Sequence, residues 1–278
     1  MSVLAHELDE DLPAWSLPAS AHESIRLPSS WPERVTRDWA WGDAKGAGVR
    51  VCVLDSGVEL DHPLVGRVEH SVAVTKQGDE ISVAEDDAGD LCGHGTACAG
   101  IIRSLAPDCE LTSVRVLGAG YTGSAAVLIG GLEWAIEQRF DIVNMSLSTT
   151  KKQYVDRLHE LADTAYFRRT MLVASAHNMP VESFPWRFAS VLSVGSHEHD
   201  DPFAFYVNPN PPVEFFSRGL NVEIAWLGGE TITATGNSFA TPHIAGICAQ
   251  ILAKHPELTP FELKSVLAQI ASTGGDDG

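Results

Sequence analysis

Short apolar runs alternate with longer amphipathic stretches along most of this chain. Residues 51–54 (Val-Cys-Val-Leu) form the first run of strand length, and every position in it is apolar. Continuous apolarity of this kind is typical of a strand covered on both faces, as in a parallel sheet. Four further strands are predicted, at residues 111–117, 141–145, 171–175 and 190–195.

The longer stretches predict helices that alternate with these strands. Their bounds are 94–103, 124–139, 155–168, 239–254 and 260–270, and Ser124 has the residue type of an N-cap. Regular alternation of this kind predicts a doubly wound α/β fold, with a mostly parallel central sheet and helices on both faces. Residues 75–90, rich in acidic residues and glycine, are predicted to be a loop.

The chain divides into a short N-terminal segment and one large domain. Residues 1–26 are acidic and aperiodic, which indicates a tail or a short pro-segment, and residues 27–278 are expected to form the domain that carries the chemistry. The first residues show neither the positive nor the apolar region of a secretion signal, which predicts a cytoplasmic location. The longest near-apolar run, residues 244–253, is about half the length that a membrane span requires.

Charge and cysteine content narrow the possible partners. The 278 residues include 19 Lys and Arg against 37 Asp and Glu, a net charge of −18. We therefore expect no binding to nucleic acid or to an anionic membrane surface, because both require a basic face. The five cysteines are odd in number and form no Cys-x-x-Cys pair, which predicts free thiols. Nothing in the pattern indicates an oligomeric state.

Three reactive residues stand at the ends of predicted elements. Asp55 ends the first strand, His94 begins a helix, and Ser238 begins the long helix near the C-terminus. In an open α/β sheet, ligands bind beyond the carboxyl ends of the strands. A serine nucleophile needs a base in contact, and the base needs a carboxylate that orients it. Taken singly, the three residues also fit a strand-end cap, a helix-start histidine and an ordinary N-cap.

The segments around these residues resemble the three signatures of the subtilases. They are residues 54–57 (Leu-Asp-Ser-Gly), 93–96 (Gly-His-Gly-Thr) and 236–246 (Gly-Asn-Ser-Phe-Ala-Thr-Pro-His-Ile-Ala-Gly), in the chain order known for subtilisin. Segments 132–136 and 141–147 are similar to the family's intervening helix and substrate-binding strand. The resemblance covers about residues 27–270. It implies a subtilisin-like serine endopeptidase in which Ser238 is the nucleophile, His94 the base and Asp55 the residue that orients His94.

The same resemblance suggests the rest of the site. Residues 174–178 are similar to the family segment that ends in the oxyanion asparagine, which makes Asn178 one donor and the Ser238 N–H the other. An extended peptide is expected to pair with the main chain of two segments. Their residues are Gly118, Ala119 and Gly120 in the first and Ser146, Leu147 and Ser148 in the second.

Three positions depart from the family pattern. His177 and Ser148 each replace a usual glycine beside the pocket for the P1 side chain, the residue before the scissile bond. The added atoms are expected to shrink or reshape this pocket and to reduce acceptance of large aromatic P1 residues. Asn237 replaces the usual threonine next to Ser238, and no separate role is assigned to it.

No metal or organic cofactor is expected. Secreted relatives often bind calcium in a loop that interrupts the helix beginning at the histidine, and residues 94–107 leave no room for that loop. The acidic groups at 85–87 and 200–201 are interpreted as solvated, although hard cations remain an alternative. A zinc cluster is a further alternative, but its spacing matches no common structural site. Its residues would be Cys92, His94, Cys98 and Cys109.

Other interpretations stay open at this point. The acyl-enzyme could transfer to an amine, giving a peptide-maturing transpeptidase or macrocyclase, or the chain could be a pseudoprotease that only binds peptides. In each case the partner is a peptide or protein. By resemblance to intracellular subtilisins, residues 1–26 could cover the cleft as an inhibitory segment, and the alternative is a disordered terminus. Cys98, one turn after His94, predicts sensitivity to mercurials, whereas His197 and His199 are expected at the surface.

Overall fold

The computed structural model describes residues 31–272 and Ser16. The chain divides into two compact units, Met1–Val35 and Thr36–Gly278. Except for Ser16, the predicted N-terminal segment 1–26 lies outside the described residues, so its role stays a prediction. All of the helices and strands described below belong to the second unit.

A nine-stranded sheet forms the centre of the second unit, and two further strands form a separate pair. The strands are β1 Arg50–Asp55, β2 His70–Gln77, β3 Glu80–Glu85, β4 Glu110–Arg115, β5 Ile142–Met145, β6 Met171–Ser175, β7 Leu192–His197, β8 Phe205–Val207, β9 Phe215–Arg218, β10 Val222–Trp226 and β11 Glu230–Ala234. The order in the sheet is β3-β2-β4-β1-β5-β6-β7-β9-β8. The outermost pairs β2–β3 and β8–β9 are antiparallel, every other pair in this sheet is parallel, and the separate pair β10–β11 is antiparallel.

Helices cover both faces of this sheet. The pair α3 and α4 packs together on one face, and the pair α2 and α5 packs together on the other. This arrangement confirms the predicted doubly wound, mostly parallel α/β fold. The helices are α1 Arg37–Ala40, α2 His94–Leu105, α3 Ala125–Glu137, α4 Val155–Phe167, α5 Asn237–Lys254 and α6 Pro260–Ile270, with short 3₁₀ turns at Lys152–Tyr154 and Leu227–Gly229.

The sequence pattern did not predict the strands at the two sides of the sheet. The loop predicted for residues 75–90 is wrong, because β2 and β3 pair as a hairpin in which Val74 lies opposite Val83. Gly78 supplies the turn with a φ of +61°. Only part of this hairpin is covered, by packing of Ile81 and Val83 against the core, so no continuous apolar run marks β3. The sequence pattern likewise did not predict the short strands β8 to β11.

Two apolar clusters within residues 31–272 pack between these layers. The larger lies between the sheet and the helices α3 and α4, and the smaller joins α2 and the start of α5 to β10. Burial on both faces explains why β1, β5 and β6 are apolar along almost their whole length. Among the described residues, no helix has both the length and the apolarity to cross a bilayer.

Candidate active site

Asp55 is the last residue of β1, at the carboxyl edge of the sheet. β4 lies on one side of β1 and β5 on the other, so the chain changes winding direction there, and crevices of open α/β sheets form at such points. The Asp55 side chain is fully buried, and its Oδ1 accepts a hydrogen bond of 2.8 Å from the Ser56 amide. A buried carboxylate in this place is suited to stabilising a positive charge beside it.

His94 begins α2 and provides that neighbour. Its Nδ1 donates to Asp55 Oδ1 at 2.8 Å, which leaves Nε2 as the ring atom able to take a proton. The ring is 9% exposed and packs against Tyr121 and Phe239. Burial favours the neutral imidazole, but the charge and hydrogen bond of Asp55 outweigh burial and raise the pKa of His94 above its ordinary value.

Asp90, which the motifs did not single out, holds the beginning of α2 in place. Its carboxylate accepts hydrogen bonds from Ser56 Oγ, from the amides of Cys92 and Gly93, and from the amide and hydroxyl of Thr96. These donors join the end of β1 to the first turn of the helix, whose free N–H groups favour an anion. An acidic residue just before a predicted helix start is the local signal that could have indicated this role.

Close packing requires a glycine at position 95, in the first turn of α2. A Cβ on Gly95 would collide with the carbonyl oxygen of Gly57, two residues after the end of β1. The second glycine of the Gly-His-Gly-Thr segment therefore lets the helix approach the strand closely enough for His94 to reach Asp55.

Ser238 lies in the first turn of α5, and Pro242 determines what surrounds its carbonyl. Proline has no N–H, so the usual helical bond from residue 242 to the Ser238 carbonyl cannot form. That oxygen instead accepts a 2.8 Å hydrogen bond from Ser146 Oγ, and Cys98 Sγ lies 3.7 Å away. Asn144 Nδ2 in turn donates to Ser146 Oγ at 3.1 Å. Hydrogen bonds thus connect Ser238 to α2 and to the residue that follows β5.

One hydrogen bond links Asn178 and Asn237. The main-chain N–H of Asn237 donates to Asn178 Oδ1 at 3.0 Å, which fixes the orientation of the Asn178 side-chain amide. A Cβ built on Gly236 would lie 3.2 Å from Ser238 Oγ and 3.5 Å from Asn178 Nδ2, so both atoms flank this glycine. Hydroxyl and amide donor therefore face one region of space.

Asn237, to which the sequence assigned no role, connects three segments. Its Oδ1 accepts from the amide and the hydroxyl of Ser196 at the end of β7, at 3.0 and 2.8 Å. Its Nδ2 donates to the carbonyls of Ala176 and His177, at 3.2 and 3.4 Å. The side chain next to Ser238 thereby holds the backbone that precedes Asn178.

His94, Ser238 and Asn178 line the same cavity of about 500 Å³. Within residues 31–272, no hydrogen bond joins the His94 ring to the Ser238 hydroxyl, although both residues line the cavity. Contacts between a nucleophile and its base are often loose before substrate binds. The cavity thus contains a hydroxyl, an imidazole backed by a carboxylate, and an amide donor.

The structure divides the predicted substrate-binding residues into two sets. Ser146, Leu147, Ser148 and His177 line the cavity. The segment 118–120 does not, and the Gly118 amide donates to the Thr122 carbonyl at 2.8 Å. Its neighbours Leu117, Tyr121, Gly123, Ser124 and Ala125 line the cavity instead. Pairing of Gly118, Ala119 and Gly120 with a peptide therefore stays a prediction.

Within the acidic group 85–87, Asp86 has a protein partner. Asp86 is 6% exposed and forms a bidentate ion pair with Arg115 at 2.7 and 2.9 Å, so its interpretation as solvated is wrong. Burial alone would raise its pKa, but Arg115 lowers the pKa of Asp86 below the usual value. Asp55, His94 and Cys98 have ligand-type atoms within 4.8 Å of one another, and Cys92 and Cys109 lie outside this group. The helix α2 is continuous where some relatives are expected to carry a calcium loop.

Comparison with known proteins identifies the family. The model of the subtilase family matches residues 46–278. The chain belongs to the subtilase family. It is accordingly a subtilisin-like serine endopeptidase, and the family prediction made from the three segments is confirmed.

Individual relatives of this subtilase match along most of its length. Subtilisin Savinase from Lederbergia lenta is 30% identical over 241 residues, covering 83% of this chain and 86% of the relative. M-protease from Shouchella clausii is 29% identical, and the match spans 83% of this chain but 61% of that protein. A cold-adapted subtilisin-like serine proteinase of known crystal structure aligns with a TM-score of 0.66 at 27% identity, covering 84% of this chain and 85% of the other.

Proposed function

We propose that this subtilase hydrolyses peptide bonds through an acyl-enzyme formed on Ser238. The Ser238 hydroxyl attacks the scissile carbonyl carbon while its proton passes to His94 Nε2. The amine then leaves with that proton, and water repeats the sequence to release the acid and restore the hydroxyl. Asp55 keeps His94 in the correct tautomer and stabilises its charged form. Asn178 Nδ2 and the Ser238 amide donate to the oxyanion.

The observation that carries this proposal is the contact of 2.8 Å between His94 Nδ1 and Asp55 Oδ1. The His94 of this pair lines the same cavity as Ser238 and Asn178. Burial of the carboxylate strengthens its effect on the imidazole, because water screens the pair very little. No observation on the described residues favours the transpeptidase, macrocyclase or pseudoprotease alternatives.

The hydroxyl and the base can be tested with the full chain. A fluorophosphonate probe is expected to label the wild-type protein on Ser238 and to leave Ser238→Ala unlabelled. Hydrolysis of a mixed peptide library should fall by about 10⁶-fold in the variant, the size of loss seen when subtilisin loses its serine or histidine. An unlabelled wild type that cleaves nothing would overturn the proposal.

We also propose that activity needs no organic cofactor and that stability needs no tightly bound calcium. Support comes from the continuous α2 and from Asp86, whose carboxylate is occupied by Arg115. Melting temperatures with and without a chelator are expected to agree within about 2 °C, since losing a bound ion would cost more than this. A large drop with chelator would refute this expectation.

A cytoplasmic location is part of the proposal as well. All five cysteines are free thiols in the structure. Free thiols persist in reducing compartments and are typically oxidised outside them. Fractionation of the source cells with an antibody against the chain would test this, and recovery of the protein in the medium would contradict it.

A further inference from the structure

The cavity beside Ser238 differs in charge from the rest of the molecule. Among the described residues that line it there is no Asp or Glu, and the one side chain with a permanent charge is Lys151. The whole chain carries a net charge of −18. Lys151 forms no ion pair with any described residue, so its ammonium group has no carboxylate partner within that part of the protein.

His177 adds a hydrogen-bond donor to the same wall. Its Nδ1 accepts from the Met179 amide at 2.9 Å, which places the ring proton on Nε2 in the neutral form. This Nε2 makes no hydrogen bond with another residue of the described chain. The ring is partly exposed and lines the cavity, so a donor without an acceptor among the described residues stands at the position where relatives are expected to have glycine.

The charged groups next to this wall have a positive excess. Lys152 and Arg187 both pair with Glu182, at 2.9 and 3.0 Å. Two cations therefore share one carboxylate, and with Lys151 the group has a net positive charge. Such a local excess attracts anionic groups, and most strongly at low ionic strength.

We propose that Lys151 and His177 make this protease select an acidic residue, Asp or Glu, at P1. This inference rests on the proposed function, because P1 is defined by the bond that Ser238 attacks. The P1 carboxylate accepts a hydrogen bond from His177 Nε2 and interacts with the Lys151 ammonium group. The absence of carboxylates from the described wall removes the repulsion that this net-negative protein otherwise presents.

The test compares peptides that differ only at P1, carrying Glu, Gln, Leu, Phe or Arg, with the full chain at constant pH. Wild type is expected to cleave the Glu peptide with the highest kcat/KM, about five- to tenfold above the Gln peptide at low ionic strength, with a smaller ratio at high salt. Lys151→Met should bring the Glu-to-Gln ratio close to one. His177→Gly should lower cleavage of Glu and Gln peptides alike and raise cleavage of Phe.

Lys45→Met is the matched control, because Lys45 is exposed and precedes β1 at the opposite edge of the sheet. It removes the same charge and should leave the P1 preference unchanged. Highest activity on Leu or Phe, or a Glu-to-Gln ratio that Lys151→Met does not alter, would overturn the P1 inference while leaving the proposed hydrolysis intact. Failure to cleave any peptide and to label Ser238 would overturn both.

Discussion

At the residue scale, Pro242 shows how one position controls the surroundings of another four residues away. It releases the Ser238 carbonyl from the helix, and Ser146 Oγ takes the free acceptor at 2.8 Å. The main chain of Ser238 is thereby held by an atom that takes no part in the proposed chemistry. Ser146, a predicted substrate-binding residue, thus also holds the residue proposed as the nucleophile.

The first prediction is that Ser146→Ala destabilises the protein and lowers kcat more than it raises KM. The Ser238 carbonyl would lose its strong donor, at a cost of about 1–2 kcal/mol. Chemical denaturation and steady-state kinetics measure the two effects.

Pro242→Ala provides the control, because an alanine at this position would restore the N–H that the helix lacks. In that background the stability cost of Ser146→Ala should be smaller, as a double-mutant cycle would show. Equal costs in both backgrounds would mean that the two residues do not act on the same carbonyl.

At the scale of elements, the start of α2 is positioned by what precedes the helix. The N-cap residue Gly93 has no side chain that could cap the helix. Asp90, three residues earlier, instead accepts hydrogen bonds from the amides of Gly93 and Thr96. The same carboxylate accepts from Ser56 Oγ, directly after Asp55, at 2.7 Å. This one side chain thus joins the end of β1 to the start of α2, beside the contact between Asp55 and His94.

The second prediction concerns Asp90→Asn, which keeps the shape and removes the charge. The amide side chain of the variant would turn its NH₂ group toward Thr96 or Ser56, which are themselves donors. The free energy of unfolding should therefore fall by roughly 2–3 kcal/mol. Below the melting transition, kcat should fall while KM changes little, because the His94 ring loses its alignment. Asp79→Asn, in the exposed turn between β2 and β3, is the control that should change neither quantity. An Asp90→Asn variant with wild-type kcat would contradict this positioning role.

At the scale of the whole molecule, α5 forms the centre of one helical layer and carries a titratable group inside it. His243 is 3% exposed and donates from Nδ1 to the Phe239 carbonyl at 2.8 Å. Burial lowers the pKa of His243 to about 4. The folded protein therefore keeps this ring neutral at pH values where the unfolded chain is already protonated.

The third prediction follows from the direction of that change. Above pH 6.5 His243 is neutral in both states and adds no pH dependence; between pH 6.5 and about 4 the unfolded state binds the extra proton. Over this range His243 should account for a loss of up to about 3 kcal/mol of unfolding free energy. Denaturant unfolding at several pH values should show a shallower slope for His243→Leu than for wild type. The exposed His70→Leu is expected to keep the wild-type slope, and equal slopes in all three proteins would contradict the assignment.

The sequence by itself determined the α/β class, the central strands and the identity of the family. The continuous apolar runs come from burial on both faces, and short motifs mark Asp55, His94 and Ser238 because the proposed chemistry limits the residue types there. These signals lie within a few neighbouring positions and can be recognised without knowing what packs against them.

Only the tertiary structure decided how those residues are held and what else surrounds them. Asn237 acts on Ser196, and Ser146 acts on Ser238, across separations of 41 and 92 positions. The hairpin of β2 and β3 likewise depends on packing against residues that are distant in the sequence. Such partners are brought together by the packing of elements, which no local pattern of polar and apolar residues encodes.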